Sequence, residues 1–249
     1  MNETMDMAAI RGLEERGFNA WPALQTVISD GWVLRFAAGH TKRANSANAM
    51  APAAPFAPLL RTAEELYGRA ALPLIFRLSP LAGEEPDAVL AERGFRAFDE
   101  SIVMTGPVGP EAVIDPAAVI RAAPDAAWSA GFAVANKVPA ERQRTHDAML
   151  AAIRLPAAFA SLGEGGETVA YGLAVAERGM VGLFDIVTVP AARRRGAGRR
   201  LVRSLLAWGR AQGASRAWLQ VVAGNGPAIA LYDRLGFGEA YRYHYRSRP

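Results

Sequence analysis

The order of apolar and polar positions divides the chain into two patterned stretches. A break lies between them, where Gly106, Pro107, Gly109, Pro110 and Pro116 interrupt the pattern. In the first stretch, Gly31 to Arg35 alternates like a strand, and Ala51 to Pro58 (A-P-A-A-P-F-A-P) reads as a loop entering a helix near Ala57 to Gly68. The apolar run Leu72 to Leu78 and a helix from about Pro86 follow. In the second stretch the spacing predicts helices over Asp125 to Asn136 and Ala140 to Ile153. Strands follow over Ala157 to Leu162 and Thr168 to Glu177, joined by a turn at Gly163 to Gly166. A buried-looking strand, Val181 to Val189, is closed by Pro190. In the helix predicted over Gly198 to Gln212, Leu201, Val202, Leu205, Leu206 and Trp208 keep helical spacing.

The two stretches echo one another. Leu72 to Leu78 leads into a helix ending A-E-R-G-F, Ala91 to Phe95; Ala217 to Val222 leads into a helix from about Pro227 ending Y-D-R-L-G-F, Tyr232 to Phe237. Gly94 and Gly236 stand where a helix C-cap glycine belongs, and the Phe after each packs back on its helix. From Phe76 to Gly94 is 18 residues and from Gln220 to Gly236 is 16. This reads as an internal duplication, with one domain over residues 1–108 and a second over 112–249.

The 249 residues are 51% hydrophobic and 21% charged, which excludes disordered, collagen-like and coiled-coil chains and allows a core that needs no disulfide or metal. With no cysteine, disulfide frameworks, thiolate zinc sites and cysteine nucleophiles are excluded together. His40, His146 and His244 stand far apart with no H-x-x-x-H spacing, so no metal site is expected. No apolar run reaches the roughly 18 residues of a membrane span, and Met1 to Asp6 is acidic with no signal-peptide core, so the expectation is a cytoplasmic protein. The net charge of +4 is local: six arginines fall between residues 193 and 203, where there is no acid, and the rest of the chain carries 22 basic against 24 acidic residues. Such clustering points to one anion site, and without aromatic residues interleaved among the arginines nucleic acid is not an expected partner.

The sharpest motif is V-T-V-P-A-A-R-R-R-G-A-G-R-R-L-V, Val187 to Val202. A strand ends, glycines let the backbone approach a ligand, and a helix opens with free amides among arginines, an arrangement suited to phosphate. It lacks the Gly-Lys-Ser/Thr ending of a P-loop and the third glycine of a dinucleotide fingerprint. Arg193-x-x-Gly196-x-Gly198 after Pro190 resembles the acyl-CoA pyrophosphate loop of the GCN5-related N-acetyltransferases. Asn225-Gly-Pro-Ala228-Ile-Ala-Leu-Tyr232-Asp-Arg-Leu-Gly236-Phe237 resembles that family's next motif, N-x-x-A-x-x-L-Y-x-x-x-G-F. Over about residues 180–238 the chain is similar to the ribosomal-protein alanine N-acetyltransferases. Its first half more loosely resembles proteins with two tandem acetyltransferase-like folds, and it has no glycine-basic loop of its own.

The resemblance implies an α/β protein of the acyl-CoA N-acyltransferase (GNAT) fold, with mixed central sheets and two tandem halves: a degenerate N-terminal copy and a catalytic C-terminal one. It implies acetyl-CoA as co-substrate, no metal, and direct transfer of the acetyl group to a primary amine of a small molecule or peptide. The main chain of Ile186, Val187 and Thr188 would pair with the pantetheine arm, with its N–H groups stabilising the oxyanion. Arg193, Arg194, Arg195, Gly196, Ala197, Gly198 and Arg199 would hold the pyrophosphate, and Asn225 would bond the pantetheine or nearby backbone. Asn225-Gly226 is also a turn signal in its own right.

Tyr232 is the candidate general acid for the departing thiolate, with a core-edge aromatic as the alternative. In the alanine N-acetyltransferases a glutamate on the strand before the Asn deprotonates the amine; the matching position here is Gln220, and a neutral amide takes no proton. Asp185, between Phe184 and Ile186, is the best remaining carboxylate for a base, with Glu177 second and a purely structural Asp185 as the alternative. The polar loop His40, Thr41, Lys42, Arg43, Asn45, Ser46 and Asn48 is a candidate lining for an acceptor pocket. The displaced base also leaves open a non-catalytic acyl-CoA-binding regulator.

Overall fold

The computed structural model describes residues 6–52 and 54–248; all of the acidic opening except Asp6, and Ala53 in the Pro/Ala stretch, lie outside the described residues. The elements run α1 (Met7–Ala20), β1 (Gln25–Ser29), β2 (Trp32–Phe36), β3 (Ala47–Ala49), α2 (Ala57–Arg69), β4 (Ile75–Leu78), α3 (Glu85–Glu92), β5 (Arg96–Pro107) and β6 (Ala118–Arg121). They continue with α4 (Ala126–Ala135), α5 (Ala140–Ala151), β7 (Ala157–Glu164), β8 (Glu167–Glu177), β9 (Met180–Thr188), α6 (Ala197–Ala211), β10 (Arg216–Val222), α7 (Gly226–Asp233) and β11 (Gly238–Ser247). The chain forms two compact units. One comprises Met1–Val103, Val221–Gly226 and Glu239–Pro249; the other comprises Met104–Gln220 and Pro227–Gly238. The division is therefore not between contiguous halves: β11, at the end of the stretch read as the second domain, lies in the first unit and pairs antiparallel with β4, His244 opposite Leu78.

In the first unit, β1 and β2 form a hairpin around Asp30-Gly31, and β3 runs parallel to β4. Its apolar core gathers Trp32, Phe56 and Phe76, with ring centroids 5.5 to 6.3 Å apart. Beside it lies a buried ionic cluster that sequence alternation does not reveal. Arg77 of β4 pairs through both terminal nitrogens with Glu14 of α1, its guanidinium lies 3.7 Å from the Tyr243 ring centroid, and Tyr241 donates its hydroxyl to Glu14. An isolated buried charge would be costly, so each partner keeps the other tolerable.

The polar loop before β3 belongs to this scaffold. Asn45 Oδ1 accepts from Ala37 N at 2.8 Å and Gly39 N at 2.9 Å, and Asn45 Nδ2 donates to the carbonyls of His40 and Thr41. Ser46 and Asn48 are buried. Asn45 is spent on holding its own backbone and Asn48 Nδ2 donates to Ser46 O at 2.7 Å, which takes Asn45 out of the expected lining of an acceptor pocket.

In the second unit the sheet order is β10-β9-β8-β7-β6, antiparallel except for the β9·β10 pair. The patterned α6 buries Leu201, Val202, Leu205 and Leu206. It lies so close to β9 that a Cβ on Gly209 would stand 2.7 Å from Val181 Cγ1. The two Gly-Phe helix endings are held alike: Phe95 N donates to Leu90 O at 2.9 Å and Phe237 N to Tyr232 O at 3.1 Å, with φ of 80° at Gly94 and 81° at Gly236. Gly209→Val is expected to cost roughly 1–3 kcal/mol by overpacking, lowering the melting temperature by about 2–4 °C per kcal/mol. A thermal melt checks this, and an unchanged transition contradicts the close docking of α6 on β9.

Candidate active site

The site in the second unit begins with an irregularity in β9. β8 pairs with β9 from Glu177↔Met180 to Ala170↔Thr188, but between Tyr171 and Leu173 the register slips, so that Asp185 and Ile186 stand where β8 has Gly172 alone. This is a β-bulge, and Asp185 takes the left-handed φ of 51° that such a bulge imposes. On its other side β9 pairs with β10 only from Met180↔Arg216 to Leu183↔Leu219. Past the bulged Ile186, Val187 and Thr188 thus keep one ladder, to β8, while the other edge of Ile186 to Thr188 carries no strand pairing among the described residues.

Beyond β9 the chain passes a short turn at Pro190–Ala192 and enters α6 at Gly196, whose φ is 88°. Only glycine adopts that backbone without strain, and nothing lies within 4 Å of where its Cβ would be. Arg200 N donates to Gly196 O at 3.0 Å, so the amides of Ala197, Gly198 and Arg199 head the helix without intrahelical partners. A Cβ on Gly198 would stand 3.1 Å from Thr188 Oγ1 and 3.7 Å from Leu231 Cδ2, which brings the end of β9, the start of α6 and α7 together.

The arginine cluster divides by task. Arg200 pairs with Asp115 at 2.7 Å and with Glu164, and Arg203 donates to Glu111 O. These two tie α6 to its own unit; the Arg200 guanidinium holds the Asp115 carboxyl below its ordinary range. Arg193, Arg194, Arg195 and Arg199 are exposed around the helix start, with Arg193 Nε donating to Thr188 O at 3.1 Å and Arg195 3.7 Å from Glu164.

Tyr232 on α7 is 6% exposed, its ring 5.8 Å from that of Phe237. Burial pushes its phenol up to about 12, so it keeps its proton at neutral pH. Asp185 points to α5, where its Oδ2 lies 2.8 Å from His146 Nε2. His146 is buried, with its ring stacked on Phe132 at 4.9 Å. The histidine was visible in the sequence only as one of three scattered imidazoles. Glu177 lies at the far end of β8, opposite Met180, away from the bulge. Asn225 falls in the segment assigned to the first unit, where its N–H bonds Val222 O at 2.9 Å as a turn residue.

A protein-family model described as the probable histone acetyltransferase Rv0428c C-terminal matches residues 7–246. The chain belongs to this family of GCN5-related N-acetyltransferases. It is 28% identical over 257 residues to the uncharacterized N-acetyltransferase YobR of Bacillus subtilis, covering 96% of this chain and 99% of that one. It is 47% identical over 58 residues to the ribosomal protein bS18 alanine N-acetyltransferase of Salmonella typhimurium, which is 23% of this chain and 39% of that enzyme. A solved GCN5-related N-acetyltransferase from Kribbella flavida superposes with a TM-score of 0.70 at 18% identity, over 99% of this chain and 97% of that one, which shows the fold.

The protein is therefore an acetyltransferase of the GNAT type, with the α/β fold expected from its motifs. Among the described residues no helix is long and apolar enough to cross a membrane. Acetyl-CoA is the usual acetyl donor of this fold, and the exposed edge of β9, the left-handed Gly196 and the free amides of α6 fit its extended arm and phosphates in kind. Gly196→Val forces a branched side chain into a left-handed backbone and is expected to weaken CoA binding at least tenfold, about 1.4 kcal/mol, in a folded variant. Calorimetry with CoA measures it, and undiminished affinity removes the loop from the site.

Proposed function

We propose that this acetyltransferase moves the acetyl group of acetyl-CoA directly to the primary amine of a small molecule or peptide, with no covalent enzyme intermediate. The observation that carries the reading is the early end of the β9·β10 pairing at Leu183, which leaves Ile186 to Thr188 with an edge to which an extended amide-bearing chain can add as a strand. Arg193 to Arg199, with the amides of Ala197 and Gly198, hold the pyrophosphate. Bound acetyl-CoA supplies an activated thioester.

The protein's own groups then handle two protons. Asp185 Oδ1 accepts the proton that the amine loses as its nitrogen bonds to the acetyl carbon. Its Oδ2 is engaged by His146, while Oδ1 has no hydrogen-bond partner among the described residues. Tyr232 Oη gives its proton to the sulfur as the C–S bond breaks, and no hydrogen bond within the described protein competes for it. Main-chain N–H groups of Ile186 to Thr188 steady the negative charge that develops on the acetyl oxygen.

The absence of a carboxylate at Gln220 argues against an acceptor handled as the alanine N-acetyltransferases handle theirs. A panel of amines, amino acids and peptides assayed for free CoA release tests the reading; CoA binding without turnover across the panel would replace it with an acyl-CoA-binding regulator. Tyr232→Phe keeps the ring and removes the donor, so kcat is expected to fall toward the low end of the roughly 10²–10⁴-fold range of general acid catalysis, because a thiolate leaves readily. CoA affinity and the melting curve stay near wild type. An unaltered kcat where chemistry limits the rate sinks the acid role.

A further inference from the structure

His146 stands outside every motif that led to the site, yet it touches one of its proposed groups. Its Nε2 lies 2.8 Å from Asp185 Oδ2, its side chain is 2% exposed, and the Phe132 ring stacks on it at 4.9 Å with 17° between planes. Phe132 is itself fixed, stacked on Trp128 at 5.2 Å with 4° between planes. Trp128 in turn donates Nε1–H to Ala160 O at 2.9 Å. The imidazole is thus anchored through two aromatic rings to the β7 backbone and has little freedom to turn.

Asp185 needs such an anchor. Its backbone occupies the left-handed bulge, where the strand ladder no longer dictates the direction of its side chain, and the side chain is 13% exposed. A carboxylate on a short stem could rotate either oxygen toward solvent. With Oδ2 engaged by a rigid donor, Oδ1 is left as the accepting oxygen in one orientation. Asp147 also faces the imidazole; its Oδ1 lies 4.0 Å from His146 Nδ1 and has no hydrogen-bond partner among the described residues.

We propose that His146 is a positioning residue for the acetyl-transfer reaction: its Nε2–H holds Asp185 Oδ2 so that Oδ1 faces the amine. The proposal rests on the reading of Asp185 as the base. His146 donates a hydrogen bond and keeps its proton; the proton taken from the amine goes to Asp185 Oδ1. A misplaced base costs roughly ten- to a hundredfold in rate without altering how the donor is bound.

Two substitutions separate holding from filling. His146→Phe keeps a flat ring against Phe132 and removes the N–H, whereas His146→Gln supplies an amide N–H at comparable reach. With acetyl-CoA and n-butylamine as the probe amine, His146→Phe is expected to lower kcat about ten- to a hundredfold at unchanged CoA affinity, and His146→Gln to recover most of the loss. Asp185→Asn with His146→Phe is expected to be no slower than Asp185→Asn alone. In full-length protein carrying ¹⁵N-histidine, the resonance assigned by His146→Gln is expected to show a slowly exchanging proton on Nε2 that shifts in Asp185→Ala. This measurement needs no acceptor, so it decides the matter if butylamine is not turned over.

Wild-type kcat in His146→Phe beside an impaired Asp185→Asn overturns the role of His146 alone, as does a proton on Nδ1 with bare Nε2. Wild-type kcat in Asp185→Asn overturns the base reading itself. Equal losses in the Phe and Gln variants, with weaker CoA binding and a lowered melt, assign His146 to structure and overturn the proposal.

Discussion

One extra residue in β9 sets the conditions for everything around it. Opposite Gly172 the strand carries both Asp185 and Ile186, and the left-handed turn of Asp185 that results costs on the order of 1–3 kcal/mol for a residue with a Cβ. The structure sustains that cost because the strand is fixed on both sides of it. Before the bulge, Met180 to Leu183 are laddered to both β8 and β10; after it, Val187 and Thr188 are laddered to β8 again. The bulge changes the direction of the strand where its second neighbour stops, and it swings the one carboxylate of this stretch toward α5. An exposed backbone edge and a directed side chain are two outcomes of a single irregularity.

Charge follows the same division between framework and site. Six arginines in eleven positions would repel one another if all were left free. Arg200 is neutralised by Asp115 and Glu164, and the Asp115 and Arg200 shifts run in the directions a close pair demands, the acid downward and the guanidinium upward. Arg193, Arg194 and Arg199, with no acid partner among the described residues, stand around the start of α6, where the helix amides already favour an anion. The first unit solves the opposite problem: Glu14 and Arg77 are sealed inside and held by each other and by tyrosines, with Arg77 Nε left without a hydrogen bond among the described residues.

Much of this was legible along the chain because it rests on local rules. Gly94 and Gly236 announce helix ends through backbone conformation, α6 announces itself through the spacing of Leu201 to Leu206, and Gly196 marks the left-handed entry to that helix. The features that escaped depend on neighbours distant in sequence. His146 sits 39 residues before Asp185, on a helix whose apolar period is faint. The bulge is a miscount between two strands and has no signature within either. The loop from His40 to Asn48 looked like a polar lining because its residues are polar; only the fold shows that Asn45 turns inward to cap its own backbone. β11 went unread because Tyr241, Tyr243 and Tyr245 alternate with charged and polar residues at the end of a stretch dominated by helix signals.

The two Gly-Phe helix endings bear on why a phenol occupies position 232. Phe95 N bonds Leu90 O and Phe237 N bonds Tyr232 O, so both turns are closed by the main chain, and the side chain at the bonded carbonyl is free to vary. Leu90 fills that place in the first unit with a buried side chain that has no polar atom. A leucine therefore meets the structural demand of the turn. At the equivalent place in the second unit the protein carries a tyrosine, 6% exposed, whose hydroxyl finds no hydrogen bond within the described protein. The ring is buried, but the hydroxyl is not one of the sealed polar atoms left without a partner, and the turn gains nothing from it. A buried ring that carries an unsealed hydroxyl is what the acid role proposed for Tyr232 asks of this place, whereas the turn alone asks only for a side chain that packs as Leu90 does.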